Sequence, residues 1–247
     1  VSTVTSPRAV LGVILPSTNT VVEAEYNQMR PAGVSFHSSR IMIRKPGLGG
    51  DDDFVDFLEA LRLEMDAAIE SLATCEPDRI VMGMSAETFW GGADGAAAFQ
   101  KDVEEKSGRE VSTGALACKA ALDAFGARRI GIITPYQPVG DEQVRAFFTE
   151  LGYDVAAVEG LKCDSATSIA DVTPSEIRAA FLAVDGPDVD VLVQAGTNLA
   201  AVAVAADLEA ELGKPVIAIN AATVWHALRA EGIDDRLTGF GRLLSEF

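Results

Sequence analysis

Residues 81 to 92 read VMGMSAETFWGG, from Val81 to Gly92. After the turn Pro77-Asp78, Arg79 to Met84 is a short, mostly apolar run, the pattern of a buried strand. It breaks into Ser85, Ala86, Glu87 and Thr88, then Phe89, Trp90 and two glycines, with a helix expected from about Ala93. In an α/β sheet the carboxyl ends of strands collect ligands, because loops and helix N-termini converge there. A carboxylate, a hydroxyl and an indole at such a point mark an active or binding site. The plainer alternative is a strand cap whose polar groups only satisfy backbone.

Outward from this stretch, strands and helices alternate. Strands are expected at 10–15, 34–43, 80–84, 110–112, 129–134, 153–158, 189–193 and 215–219. Helices are expected at 21–29, 54–72, 93–106, 115–125, 141–151, 175–183, 199–212 and 222–230. Strict alternation argues for parallel sheets covered on both faces.

The chain also repeats itself. Gly12 to Ser17 (GVILPS) matches Gly131 to Tyr136 (GIITPY). Pro77-Asp78 and the strand up to Ala86-Glu87-Thr88 match Pro187-Asp188 and the strand up to Gly196-Thr197-Asn198. Gly108 to Val111 matches Gly213 to Val216. The fold expected is therefore α/β, with two pseudo-symmetric Rossmann-like halves. Each is a small parallel sheet with helices on both faces, and the site lies in the cleft between them. The N-terminal half covers 1–112 and is completed by 219–247; the C-terminal half covers 113–218. The repeat pairs Ala86 with Gly196.

Composition narrows the function. The chain has 247 residues, 48% of them apolar, and no uncharged apolar run of about 18 or more, so no membrane span is expected. The opening VSTVTSPRAV lacks a basic start and an apolar signal core. Cys75, Cys118 and Cys163 are widely separated and form no CxxC, which fits a reducing cytoplasm and neither a disulfide framework nor a zinc site. His37 and His226 are the only histidines, too few for a His-rich metal site. A net charge of −17 argues against nucleic acid as a partner. Hydroxyls and helix N-termini still allow a small anionic substrate. No metal or organic cofactor is implied, and a homo-oligomer is expected.

Four segments carry a family likeness: PSTNTVVEAE from Pro16, FHSSR from Phe36, TPY from Thr134 and NAATVWHALR from Asn220. Together they resemble the maleate cis-trans isomerases and, more widely, the aspartate/glutamate racemase superfamily, which includes arylmalonate decarboxylase. The likeness runs over nearly the whole chain. It implies a site between two halves. In that family two cysteines, one from each half, sit at equivalent strand ends, one as nucleophile or base and the other as its partner; the decarboxylase keeps only the second. Here the first position falls on Ala86, or on Ser85, and the second on Gly196. Cys75 closes a helix, Cys118 sits within one and Cys163 opens a loop, so the family's thiolate chemistry is absent.

The candidate residues follow. Ser17, Thr18 and Asn19 stand at a strand-to-helix turn, where they cap the helix or, as the resemblance implies for the asparagine, hold a substrate carboxylate. Tyr136, by the same resemblance, points its hydroxyl at a carboxylate or developing enolate. Glu87, partly desolvated beside Phe89 and Trp90, suits acid–base work; capping or pairing with an arginine is its alternative. Ser85 is the third catalytic candidate. Ala86, Thr88, Gly196, Thr197 and Asn198 complete the substrate-binding set. Ser165, Thr167 and Ser168 lie in a loop that family analogy places over the site. His37, Arg40 and His226 read as structural. The expected activity is a cysteine-independent isomerase or carbon–carbon lyase on a small mono- or dicarboxylic acid. The alternatives are a hydrolase using Glu87 and water, and a non-catalytic carboxylate-binding protein.

Overall fold

All eight residues of the strand Ala9–Pro16 (β1), AVLGVILP, are buried. A strand with no polar residue on either face belongs in the middle of a sheet covered on both sides. The structure, a computed structural model, describes residues 3–247. Around β1, in chain order, lie α1 (Val22–Gln28), β2 (Val34–Ile41), α2 (Asp51–Ala73), β3 (Arg79–Met82), α3 (Ala86–Phe89), α4 (Gly92–Ser107) and β4 (Val111–Ser112). The second half follows with α5 (Gly114–Phe125), β5 (Arg129–Thr134), α6 (Pro138–Glu150), β6 (Asp154–Gly160), α7 (Pro174–Val184), β7 (Val191–Gln194), α8 (Val202–Leu212) and β8 (Val216–Ala218). The helices α9 (Ile219–Ala230) and α10 (Arg242–Glu246) close the chain.

Two four-stranded sheets result, ordered β2-β1-β3-β4 and β6-β5-β7-β8, and every pairing is parallel. The orders are the same. In each sheet the chain leaves the second strand in one direction and returns on its other side, so the switch point lies between β1 and β3, and between β5 and β7.

The register corrects one expectation. Gly12 lies opposite Ile80 and Gly131 opposite Leu192, and the amides of Gly83 and Ala195 donate to Ile14 and Ile133 at 2.7 and 2.9 Å. Counting forward, Gly196 is equivalent to Met84, Thr197 to Ser85 and Asn198 to Ala86. The sequence match set the two Pro-Asp dipeptides together and so slipped by two residues. Asp78 is in fact equivalent to Asp190, since each accepts the amide that opens the pairing on its central strand, Val10 and Arg129, at 2.9 Å. The turn before β7 is two residues longer than the turn before β3.

Gly12 and Gly131 are needed where the helices close on the central strands. A Cβ at Gly12 would stand 2.9 Å from Leu72 Cδ2 on α2, and one at Gly131 only 2.3 Å from the Val184 carbonyl ending α7. α7 begins as expected at Pro174, behind a reciprocal Thr173–Glu176 capping box. Two loops then join the halves. Leu48 N donates to Asp164 O and Ala166 N to Pro46 O, both at 2.7 Å, around an antiparallel bridge between Gly47 and Ser165.

Candidate active site

A cavity of about 60 Å³ opens where the ends of β1, β3, β5 and β7 meet. Pro16, Thr18 and Asn19 come from the end of β1, and Met84 to Glu87 from the end of β3. Pro135 and Tyr136 follow β5, and Gly196 to Asn198 follow β7. Both switch points therefore face one space, as parallel α/β architecture favours.

At its centre Ser85 Oγ lies 2.6 Å from the Tyr136 hydroxyl. Ser85 Oγ also accepts the Thr197 amide at 3.0 Å, and Thr197 Oγ1 donates to the Gly83 carbonyl at 3.2 Å. One hydroxyl from the first half thus gathers a phenol and an amide from the second. Tyr136 is 4% exposed, and burial pushes its phenol well above the ordinary value, with the Ser85 hydrogen bond opposing the shift only in part. It stays a neutral donor, which suits it to an oxyanion.

The two asparagines are placed on the wall but are largely committed to the fold. Asn19 Oδ1 accepts the Val21 and Val22 amides at 3.0 Å, and its Nδ2 donates to Thr197 Oγ1 at 3.4 Å. Asn198 Oδ1 accepts the Thr20 amide at 3.0 Å while its Nδ2 donates to Ala166 O at 2.8 Å. Ser17 and Thr88 do not line the cavity. Ser17 Oγ accepts the Ile43 amide at 3.0 Å, and Thr88 Oγ1 donates to the Ser85 carbonyl at 2.7 Å. Local backbone bonding wins over ligand binding for both, as short hydroxyl side chains at strand ends often do.

Glu87 lines the cavity with its side chain 8% exposed. Arg62, from α2, donates through Nε to Glu87 Oε1 at 2.8 Å, whereas Oε2 is buried with no protein partner. The sequence reading allowed for an arginine but did not name Arg62. The same helix supplies Phe54, Phe57, Leu58 and Leu61, and the joined loops add Leu48, Ala166 and Ile169. These apolar residues were legible only as helix periodicity and loop. Ser165, Thr167 and Ser168 bond to one another instead, and it is their neighbours that face the cavity.

A second residue escaped the sequence reading. Glu25, on α1 within the PSTNTVVEAE segment, is buried and accepts Val202 N at 3.1 Å and Asn220 Nδ2 at 2.6 Å. Burial pushes its carboxyl up to about 7, against the lowering effect of those two bonds. Asn220 Nδ2 also donates to the Thr197 carbonyl at 2.9 Å.

His226 Nδ1 pairs with Ser112 Oγ at 2.9 Å, and His37 Nε2 with Ser35 Oγ at 2.8 Å; neither lines the cavity. No cysteine lines it either, among the described residues. Cys75 is exposed; Cys118 and Cys163 are buried, and burial pushes the Cys163 thiol up to about 11. Gly196 is more than a shortened side chain. A Cβ there would stand 2.4 Å from Pro135 Cδ, so the backbone and the proline ring have closed on the space that a cysteine needs.

Paired parallel sheets, with a buried hydroxyl pair and an apolar helix wall between their switch points, define an α/β protein with one shared cavity. The chain belongs to the arylmalonate decarboxylase family, whose sequence model matches residues 11–244. It is 27% identical over 248 residues to a maleate isomerase of Pseudomonas putida, covering 95% of this chain and 96% of the relative. It is 26% identical to the arylmalonate decarboxylase of Bordetella bronchiseptica over 245 residues, 96% of each chain. The fold matches a solved Nocardia farcinica maleate cis-trans isomerase, a cysteine-to-serine variant with a covalently bound succinylcysteine intermediate. There the TM-score is 0.88, with 24% identity, over 96% of this chain and 98% of that one.

Proposed function

We propose that the protein is a cysteine-independent lyase that removes carbon dioxide from a malonate carrying one apolar substituent. The observation that carries this reading is the make-up of the cavity wall: the Ser85–Tyr136 hydroxyl pair on one side, the α2 side chains Phe54, Phe57, Leu58 and Leu61 on another, and no thiol. Isomerisation through a succinylcysteine, the intermediate held by the Nocardia enzyme, needs a sulfur nucleophile that this wall lacks.

In this reading Tyr136 and Ser85 donate to the carboxylate that stays, and the leaving carboxylate faces apolar side chains, where its charge is poorly solvated. The carbon–carbon bond breaks and carbon dioxide departs. The electron pair spreads into the retained carboxylate as an enediolate, which the two donors stabilise. One proton must then reach the carbon. Glu87 carries it: Arg62 holds Oε1, leaving Oε2 as the working oxygen. The consumed proton is replaced from solvent.

The test is a panel of methyl-, butyl- and phenylmalonate with maleate beside them, followed by carbon dioxide release and product analysis. Decarboxylation of a substituted malonate without conversion of maleate to fumarate supports the reading. Maleate isomerisation overturns it. Binding by thermal shift with no turnover of any member replaces it with the non-catalytic carboxylate binder.

A further inference from the structure

Glu25 is joined to the Ser85–Tyr136 pair by hydrogen bonds that run through the backbone of Thr197. Asn220 Nδ2 donates to Glu25 Oε2 at 2.6 Å and to Thr197 O at 2.9 Å; Thr197 N donates to Ser85 Oγ at 3.0 Å; Ser85 Oγ meets the Tyr136 hydroxyl at 2.6 Å. The line crosses from α1 through α9 to the end of β7 and then to the end of β3. Asn220 is 1% exposed, and its Oδ1 is buried with no partner. We infer that Glu25 is a positioning residue: through the Asn220 amide it holds the Thr197 strand end against Ser85, and it does so only when it carries no proton.

The argument is one of donors and acceptors. Both groups that Glu25 meets are N–H donors, so the pattern is complete for a carboxylate, which only accepts. The Val202 amide opens the 11-residue helix α8, whose N-terminal dipole also favours the charged form. A protonated Glu25 has a hydroxyl to place. The acceptor within reach is Asn220 Oδ1, once the amide turns over. Turning it removes Nδ2 from the Thr197 carbonyl and sets oxygen against oxygen. Thr197 then keeps its hydroxyl bonds to Gly83 and Asn19 but loses the bond at its carbonyl, and its amide shifts on Ser85 Oγ.

The charged groups around α1 do not replace this control. Tyr26, beside Glu25 on α1, is kept protonated chiefly by burial. On β2, Arg40 is paired with Glu23, and His37 with Ser35. On α9, His226 bonds Ser112, and Arg229 bonds the Phe247 and Ile233 carbonyls. On α8, Glu209 accepts the Arg242 and Val216 amides, Glu211 pairs with Arg178, and Asp207 lies on the second turn. Among the described residues no cation pairs with Glu25, whose partners are the Val202 amide and Asn220, and burial holds its carboxyl at about 7, inside the titrated range.

The inference rests on the Ser85–Tyr136 cavity being the site, and its test does not need turnover. Protein labelled with nitrogen-15 and carbon-13 is titrated between pH 5.5 and 8.5, and the Thr197 and Ser85 amide resonances and the Glu25 side-chain carbon are followed. In the wild type the Thr197 amide should trace a single step with its midpoint near 7. In Glu25→Gln the step should vanish. In Asn220→Ala the Glu25 side-chain carbon should still titrate while Thr197 stays flat. A flat Thr197 resonance in the wild type, or a step that survives Glu25→Gln or Asn220→Ala, overturns the proposal. Should Glu25→Gln not fold, the wild type and Asn220→Ala decide alone. If a substituted malonate proves to be turned over, kcat should also fall about tenfold per pH unit below the midpoint. Failure of every malonate would overturn the decarboxylase reading and leave the resonance result standing.

Discussion

Ser85 and Thr197 hold the same place in the two halves, one residue past Met84 and Gly196, and the Thr197 amide donates to Ser85 Oγ at 3.0 Å. The pseudo-symmetry is broken at this contact. Serine accepts the Thr197 amide and meets the Tyr136 hydroxyl, both from the other half, while threonine donates its own hydroxyl across to the Gly83 carbonyl of the first half. Removing the serine oxygen should cost twice. Ser85→Ala leaves the buried Tyr136 hydroxyl and Thr197 amide short of a partner, a loss of about 1–3 kcal/mol of stability. Tyr136→Phe deletes the donor itself and should lower kcat by about 10²–10³, with weaker binding of a carboxylate inhibitor. Urea unfolding and steady-state kinetics measure the two effects separately.

The cysteines should be dispensable. Cys75 is exposed, Cys118 and Cys163 are buried, and none lines the cavity. Replacing Cys75 with Ser and Cys118 and Cys163 with Ala should leave the protein folded and its activity within a few-fold of wild type. Alkylation should modify Cys75 first without loss of rate. Inactivation that maps to a cysteine and is prevented by substrate would contradict this.

Restoring a cysteine at Gly196 should fail structurally. The new Cβ would lie 2.4 Å from the Pro135 ring, which cannot swing aside as a long side chain can. Gly196→Cys and Gly196→Ala should each lose about 1–3 kcal/mol, the usual cost of overpacking, and neither should gain isomerase activity. A Gly196→Cys protein with wild-type unfolding and new conversion of maleate would show that the strand end opens more easily than its packing indicates.

Much of this architecture was legible in the chain, and the exceptions have physical reasons. The apolar strands that run out at Leu15, Met84, Thr134 and Val193 each lead into residues that line the cavity, because strand ends collect loops. The repeat was visible but slipped by two residues, since Pro-Asp is a common turn and the aspartate that caps the second central strand is Asp190 rather than Asp188. Arg62 and the α2 wall were hidden, because helical periodicity tells which face is covered and not what covers it. Glu25 stood in a quoted segment, yet nothing in VVEAE separates a surface acid from a buried one. Only tertiary packing makes that distinction.

The buried Glu25 should leave a mark on stability. Its carboxyl is raised from 4.5 to about 7, so the folded chain holds this proton more tightly than the unfolded chain. Between those two values the native state carries more protons, and stability contributed by the neutral form is lost as pH rises through about 7. Below 4.5 both states are protonated and the contribution is constant. The full change is ~3 kcal/mol. Glu25→Gln is neutral throughout and should lack the slope. Urea unfolding of both proteins at pH 5 and pH 8.5 gives the comparison, with the wild type relatively more stable at the lower pH.

The last expectation concerns Glu87, on which the choice between catalyst and binder turns. Its carboxylate is tethered at one oxygen, 2.8 Å from Arg62 Nε, and has no protein partner at the other. A tethered carboxylate keeps one orientation, which proton transfer requires, because the transfer distance must be reproduced at each turnover. Glu87→Gln keeps the size and can still offer an oxygen to Arg62, but it carries no titratable proton. If Glu87 moves the proton, kcat on a substituted malonate should drop by about 10²–10⁴ with KM little changed. Arg62→Gln separates tether from chemistry: it should lower kcat less, and it should reduce stability, because a buried carboxylate loses its cation. Equal activity of Glu87→Gln and wild type would move the proton step to water or to Ser85. A raised KM at constant kcat would make Glu87 a wall of the binding site and nothing more.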